Sequence, residues 1–539
     1  MASYAPPGVP RLIHQTWKNN NVPEGMGFPE SWKACNPGWT YRFWTDDDLL
    51  EFFRQERPDL LDLFLSYDKP VQKADLARYC ILHRYGGIYA DIDTRCLASA
   101  EPIAGDRRVI LCEEPPRHRE PALQRGLKTM WFNGTMASPP EHPFWEDVIA
   151  ACRLMAPRRA FDVLENTGPL LLSAVVERWQ AKAPDAMALH SCGLFAENDV
   201  HGGGFDGTHY GPYGDLRLSS HLWAGSWFTI RHDRWIQRKV SRLHQARDWL
   251  FGGPRLDPAA TLGALDCGFL DRPIAPTGPE AAVLVLVPVR DAEDDLPRCF
   301  ELLSRIDHPK ENLHVRLGHG DSRDGTARVL KELVARHAGD FASVAVVDLL
   351  RNAPQVSRAL RSRRGIQRAR RAGIARARND LLTASLTDEI DWVLWVDADV
   401  IDYPQGVLGR LLSEREKIVT PDCVLEAGGP SFDQNAFFEN GVPTRPVYYK
   451  QVRDGILQPP SDWWYRRHLS DLRYLDRVPL HGVGGTMLLV QADIHRAGVR
   501  FPERPYRHLI ETEGFGRLAR DAGVVPIGLP NVQIIHANR

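Results

Sequence analysis

The sequence has no long hydrophobic run. Among its 539 residues no window approaches about eighteen apolar positions, the least a membrane-spanning helix needs. The opening "MASYAPPGVPRLIHQTWK" also lacks the cationic stretch and apolar core of a secretion signal. Paired cysteines are missing: the nine, at 35, 80, 96, 112, 152, 192, 267, 299 and 423, are odd in number and show no metal-binding spacing. That scatter favours a reduced compartment over a disulfide framework. Net charge is nearly absent, at −2, so the chain as a whole does not attract nucleic acid or anionic lipid. Short internal repeats are missing too, which excludes a solenoid.

What remains is a globular composition, 43% apolar and 25% charged, on a chain too long for one core. Two stretches stand out. "LHRYGGIYADIDTRC" (82 to 96) carries Asp91 and Asp93, and "DWVLWVDADVIDYP" (391 to 404) carries Asp397 and Asp399, each pair after an apolar run. A strand sends residues i and i+2 to one face, so an Asp-x-Asp at a strand's end is expected to aim both carboxylates at one point. Hard cations such as Mg²⁺ and Mn²⁺ take oxygen ligands of this kind together with phosphate oxygens.

The order of elements predicts an α/β fold. "AAVLVLVPVRD" reads as a buried strand, "LPRCFELLSRI" and "ARVLKELVARH" as helices, and "LHVRLGHGDSRDGT" as strand then turn. The first half repeats the pattern. "PRLIHQTWK" is strand-like, "DDDLLEFFRQERPDLLDLFLSY" helical, and "KADLARYCILHRYGG" a helix closed by glycines. Alternation of this sort predicts parallel sheets with ligands at the carboxyl ends of the strands. A Gly- and Pro-rich segment near 251 to 282 divides the chain. We expect one domain over 1–255, a linker or seam over 256–281 and a second domain over 282–539.

Five ordered blocks, "IHQTWK", "KADLARYCILHRYGGIYADIDTRC", "NGTMASPPEHPFW", "NTGPLLL" and "HLWAGSW", resemble glycosyltransferase family 32, which includes fungal α-1,6-mannosyltransferases and the mannosyltransferases of inositol phosphorylceramide. The second half, through "ARARNDLL", "DWVLWVDADV", "TPDCV", "SFDQNAF" and the run from "HGVGGTMLLV" to "QIIH", resembles glycosyltransferase family 62, the fungal mannan polymerase subunits. Together these imply two GT-A domains in tandem, Rossmann-like folds that bind nucleotide-diphospho-sugars. The resemblance further implies two retaining, metal-dependent transferases using Mn²⁺ or Mg²⁺, with GDP-mannose as donor and a glycan, glycolipid or small molecule as acceptor. A UDP-sugar donor, or one active domain beside an acceptor-binding or scaffold module, is the alternative. A cytoplasmic setting is expected, without nucleic acid or a membrane span; an anchor lying outside this sequence would place the chain in the Golgi lumen.

The resemblance also assigns residues. In the first domain it implies that Asp91 and Asp93 act at the metal and diphosphate, Asp93 as the more direct ligand, and that His221 and Ser226 contact metal or phosphate while Trp227 covers the donor. Asp75 and Arg78, one helical turn apart, read as contacts to donor hydroxyls or as a surface ion pair. Tyr89 lines the pocket beside Asp91, and Trp17 either stacks on the base or fills the core. Asn133 heads an "NGT" sequon, yet a polar contact to donor or acceptor is the preferred reading.

In the second domain Asp397, Asp399 and His536 make the metal set, so the C-terminus is expected to fold back over the site. Pro288, Arg290, Asp291 and Asp321 are placed at the nucleotide, and Glu511 and Glu513 at sugar hydroxyls or acceptor. The basic run from 357 to 380 reads as a helix flanking the donor, with Arg376 or Arg378 facing phosphate, rather than as a nucleic-acid surface. One departure is His481, which stands where the family carries an acidic residue.

Overall fold

The computed structural model describes residues 7–22, 28–156, 162–199, 207, 209–223, 248, 253–349 and 366–538. It divides into two compact units, Met1–Ile230 and Arg231–Arg539. Each is built on its own mixed sheet.

The first unit holds six strands in the order Thr40–Trp44, Leu12–Thr16, Gly87–Ala90, Thr135–Ser138, Val109–Cys112 and Met187–His190. The expectation of a parallel sheet is corrected here: Thr135–Ser138 runs antiparallel to both its neighbours. The predicted helix over 46 to 67 is also interrupted. Asp46–Glu56 begins with a capping box between Thr45 and Asp48, then stops at Arg57, whose φ of −137° and ψ of 55° lie outside the helical region that a following proline disfavours. A 3₁₀ turn, Pro58–Leu60, and a second helix, Leu61–Ser66, complete the segment.

Helix Pro70–Tyr85 ends at Gly86, with φ of 65°, where a side chain would run into the backbone of Ser138 and Pro140. That turn delivers the fully buried strand Gly87–Ala90, flanked by Leu12–Thr16 in parallel and Thr135–Ser138 in antiparallel pairing.

The second unit's larger sheet runs Ser343–Asp348, Leu313–His319, Val283–Val289, Trp392–Val396, Met487–Gln491, Ile418–Val424, Ile527–His536 and Val400–Asp402, with Val478–Pro479 also pairing onto Ile527–His536. Again the strand leading to the aspartates, Trp392–Val396, has a parallel neighbour on one side, Val283–Val289, and an antiparallel one, Met487–Gln491, on the other. The segment 256–281 is packed rather than extended. It forms short helices Pro258–Gly263 and Cys267–Leu270, and Leu256, Leu262, Leu265, Phe269 and Leu270 lie against the second unit's apolar core. Among the described residues no helix is long and apolar enough to cross a membrane.

Candidate functional site

The aspartate pairs do not lie on strands, as expected, but in the turn that follows. In the first unit the strand stops at Ala90, and the Asp91 carbonyl accepts both the Thr94 amide, at 3.0 Å, and the Thr94 hydroxyl, at 2.6 Å. The ladder fades one residue earlier than alternation predicts because Thr94 closes a turn on Asp91. The Asp91 amide still reaches the Gly134 carbonyl at 2.7 Å. In the second unit the strand stops at Val396, Asp397 N–H donates to the Thr486 carbonyl at 2.9 Å, and Val400 N–H returns to the Asp397 carbonyl at 3.3 Å.

Each turn is closed from outside by a histidine on a distant strand. His221 pairs with Thr94, and His536 with Val400, both antiparallel. The next residue along donates its amide to the second aspartate's carbonyl: Leu222 to Asp93 at 3.1 Å, Ala537 to Asp399 at 2.9 Å. The imidazoles follow suit, with Nε2 of His221 at 3.1 Å from Asp93 and Nε2 of His536 at 3.1 Å from Asp399. The chain's end thus folds back onto Asp399.

In each unit an arginine from the helix preceding the strand holds the first aspartate. Arg78 lies 3.1 Å from Asp91 and donates to the Asn133 carbonyl at 2.8 Å. Arg378 donates to Asp397 at 2.8 Å and to the Gly485 carbonyl at 3.2 Å. Gly134 must lack a side chain, since a Cβ would sit 2.4 Å from the Phe132 ring and 2.9 Å from an Asp91 oxygen.

The first unit's residues border a cavity of about 900 Å³ lined by Trp17, Arg78, Asp91, Asp93, Asn133 and His221, among others. Asp75 and Tyr89 stand behind it. The Asp75 carboxylate accepts from Asn133 at 3.1 Å, from Thr167 at 2.9 Å and pairs with Arg78 at 3.2 Å, so it positions those groups and is no surface ion pair. Burial pushes its pKa up to about 6. Tyr89 donates its hydroxyl to Asp91 at 3.0 Å and meets Thr16 at 2.8 Å. Burial likewise raises Asp91, with Arg78 opposing. Ser226 and Trp227 lie outside the described residues.

The carboxylates of Asp91 and Asp93 and the His221 imidazole offer ligand atoms all within 4.8 Å of one another, the only such trio among the described residues. Oxygen-rich and partly buried, this set fits a hard divalent cation. In the second unit Asp397 is drawn to Arg378 while Asp399 and His536 meet. Burial disfavours a charged His536, but Asp399 outweighs it and lifts the pKa to about 8.

The loops after strands Val283–Val289 and Leu313–His319 are tied together where a nucleotide was expected. Asp291, at a left-handed φ of 48°, donates its amide to Ser322 at 3.0 Å and accepts from Arg323 N–H at 2.8 Å, while Arg290 lies 3.6 Å from Asp321. Pro288 pairs across to Gly318 on the same edge.

Glu513 is placed elsewhere than expected. Buried, it is held by Arg371 at 3.0 Å and Arg466 at 2.8 Å, leaving a structural carboxylate rather than one offered to sugar. Glu511 lies nearer Arg378, at 3.7 Å, and takes a left-handed φ of 59°, unusual for a non-glycine. Burial raises its pKa. Arg376 pairs outward with Glu503, so Arg378 alone of that pair faces the aspartates.

Sequence reasoning missed three groups. Asp433, inside "SFDQNAF", accepts the Gly485 amide at 2.8 Å and the Thr486 hydroxyl at 3.1 Å. Trp223 packs its ring 4.4 Å from His221, and Glu114 lines the first cavity. Asp433 was detectable as the one acid in a polar block, and Trp223 from its place two residues after His221 within "HLWAGSW"; Glu114 carried no local signal.

The family Anp1 matches residues 272–505, and the family described as "Glycosyltransferase sugar-binding region containing DXD motif" matches residues 24–110. The chain is 34% identical over 190 residues to inositol phosphoceramide mannosyltransferase 3 of Schizosaccharomyces pombe, covering 34% of this chain and 48% of that protein. It is 34% identical over 185 residues to mannosyl phosphorylinositol ceramide synthase CSH1 of Saccharomyces cerevisiae, covering 32% of this chain and 45% of the relative. The chain therefore spans about half the length of these two relatives. With the mannan polymerase complex subunit mnn9 of Schizosaccharomyces pombe it shares 30% identity over 277 residues, 48% of this chain and 80% of that protein. Both units are mixed α/β domains, and the chain belongs to the Anp1 family through its second half, which follows the residues matched by the glycosyltransferase region with a DXD motif.

Proposed function

We propose that the chain is a bifunctional, metal-dependent retaining glycosyltransferase, each unit transferring mannose from GDP-mannose to a hydroxyl of a glycan, glycolipid or small molecule. One observation carries this reading: both units bring an arginine, an Asp-x-Asp turn and a histidine together through equivalent backbone bonds. A unit that only bound acceptor would have no physical use for a second copy of that arrangement.

Asp91 and Asp93 in the first unit, with His221 beside them, and Asp397, Asp399 and His536 in the second, would hold Mn²⁺ or Mg²⁺. Bound there, the cation supplies positive charge against the diphosphate that departs as the bond to carbon breaks. Arg78 and Arg378 hold the first aspartate of each pair in place and oppose the upward pKa shift that burial imposes on it. Trp17, half-buried at the cavity's rim, offers a flat face to the base, and Asn133 a polar group to the sugar. The apolar part of the cavity wall, including Leu49, Val71 and Leu164, excludes the water that would otherwise compete as acceptor. Pro288, Arg290, Asp291 and Asp321 border the corresponding nucleotide position in the second unit.

The test is nucleotide release by the purified chain with Mn²⁺ across GDP- and UDP-sugars, comparing Asp93→Ala, Asp399→Ala and the double variant. GDP-mannose turnover that falls in each single variant and vanishes in the double supports the reading. Undiminished release by Asp399→Ala, alongside loss in Asp93→Ala, overturns it in favour of one active unit.

A further inference from the structure

We propose that the two histidines beside the Asp-x-Asp turns do different work: Nε2 of His536 presents a lone pair to the cation, whereas Nε2 of His221 carries a proton and donates it as a hydrogen bond to the donor's diphosphate. This rests on the reading of both units as metal- and diphosphate-binding. Of the metal or phosphate contact expected for His221, it takes the phosphate.

A neutral imidazole has one N–H and one bare nitrogen, and the partner of one nitrogen decides the state of the other. Metal-ligating histidines meet this condition by donating their remote N–H to a carbonyl or carboxylate. His536 does so: its Nδ1 lies 2.7 Å from the Ala537 carbonyl, which can only accept. The proton therefore sits on Nδ1, and the neutral ring turns a bare Nε2 toward Asp399. A bare nitrogen 3.1 Å from a carboxylate oxygen is repulsive unless a proton or cation stands between them. The site is thus arranged to exchange the one for the other.

His221 is wired the opposite way. Its Nδ1 lies 3.0 Å from the Trp223 backbone N–H, which can only donate, so Nδ1 must be bare and Nε2 protonated. The acceptors around Nε2 agree, with Asp93 at 3.1 Å and Asp91 at 4.0 Å. Trp223 takes a left-handed φ of 55°, which folds its amide back onto the ring two residues earlier. Aromatic neighbours then hold the imidazole: Trp223 at 4.4 Å and Phe132 at 5.2 Å, with His118 against the far side of Trp223 at 4.3 Å. For Nε2 to ligate, the proton would have to move to Nδ1 and meet the Trp223 N–H head-on. The first unit's cation is left to the two carboxylates, and His221 supplies a neutral donor within hydrogen-bond reach of whatever phosphate oxygen those carboxylates' cation draws in.

The experiment uses the full chain with ¹⁵N-labelled histidine, free of metal, at about pH 9, above the pKa of about 8 at His536. Long-range ¹H–¹⁵N correlations separate the two tautomers, and His221→Gln and His536→Gln assign the signals by their disappearance. The expected result is Nε2–H for His221 and Nδ1–H for His536; Nδ1–H at His221 overturns the proposal. A second measurement titrates Mn²⁺ without donor, read by the free-ion paramagnetic signal, and then GDP by calorimetry. His536→Gln should weaken one of two Mn²⁺ sites at least about tenfold. His221→Gln should keep both sites while GDP binding in an Asp399→Ala background weakens about tenfold. Loss of a Mn²⁺ site in His221→Gln overturns the assignment. Failure of the wild-type chain to bind Mn²⁺ at all sinks the metal-dependent reading instead, and the tautomers still decide the ring chemistry.

Discussion

Arg378 donates to Asp397 at 2.8 Å from the helix that precedes the aspartate's own strand. Arg78 stands in the same relation to Asp91, and each guanidinium also closes on the carbonyl of the antiparallel neighbour's approach, Gly485 or Asn133. Both arginines are buried. Such a charge is costly unless fully paired, and its removal strands the carboxylates it served.

Arg78→Met is therefore expected to destabilise the first unit by about 3–5 kcal/mol, because Asp75 and Asp91 would face each other without a cation. Arg378→Met should do the same to the second, where Asp397 and Glu511 lose their shared partner. Denaturant unfolding followed by tryptophan fluorescence reads each loss as a shift of one transition. Midpoints unchanged in both variants would show that the arginines are not the anchors described.

Glu513→Gln separates a structural from a sugar-binding carboxylate. Held by Arg371 and by Arg466, itself stacked 3.8 Å over Phe437, Glu513 should cost about 3 kcal/mol when neutralised, since two buried guanidiniums lose their counter-charge. A variant that keeps parental stability but raises KM for the donor would return Glu513 to the sugar.

His481 is one of several buried rings, with His14 and His495, that tie the protein's acid stability to protonation. Its Nδ1 accepts the Glu439 amide at 3.0 Å, and burial, with Arg520 and Arg517 adding to it, lowers its pKa from 6.5 to about 3. The unfolded chain binds this proton first. Its contribution is thus fully present above pH 6.5 and disappears as pH falls toward 3. His481→Asn keeps an acceptor for Glu439 without titrating, so its stability should fall less steeply than the parent's between those limits. Parallel pH profiles of unfolding would count against this account.

Much of the site was legible because its parts are local. An apolar run closing on Asp-x-Asp announces itself in a dozen residues, and Gly86 marks the helix end that leads to it. The partners were not. The strand Thr135–Ser138 inserts antiparallel between its neighbours, and only that insertion brings Asn133 and Gly134 against Arg78 and Asp91. Nothing in the alternation of strands and helices encodes an inserted neighbour's direction. Glu513 was misplaced for a related reason, since its fate depends on Arg466 arriving from a separate small sheet. His536 could be placed on the site from its family block, but the proton on its ring depends on a backbone carbonyl, which no side-chain pattern specifies.

Asn133 poses the last question, because "NGT" reads equally as a glycan acceptor. Only 9% exposed, the side chain spends its amide on Asp75 at 3.1 Å and on the Tyr79 hydroxyl at 3.3 Å, while Thr135 is fully buried. A glycan on that nitrogen would have to displace both partners and leave the Asp75 carboxylate short of a donor. The folded first unit and a glycan at Asn133 are accordingly incompatible. When the chain is directed through a glycosylating compartment, the fraction that folds should show no mass loss on enzymatic deglycosylation. Asn133→Asp gives the complementary reading without glycans. It sets a second carboxylate against Asp75 in a buried position, where one of the two must take up a proton, so the variant should be less stable than the parent at pH 7 by about 1–3 kcal/mol and recover as the pH falls. Asn133→Asp with parental stability at pH 7, or a glycosylated chain that stays folded, would mean that Asn133 is not locked to Asp75.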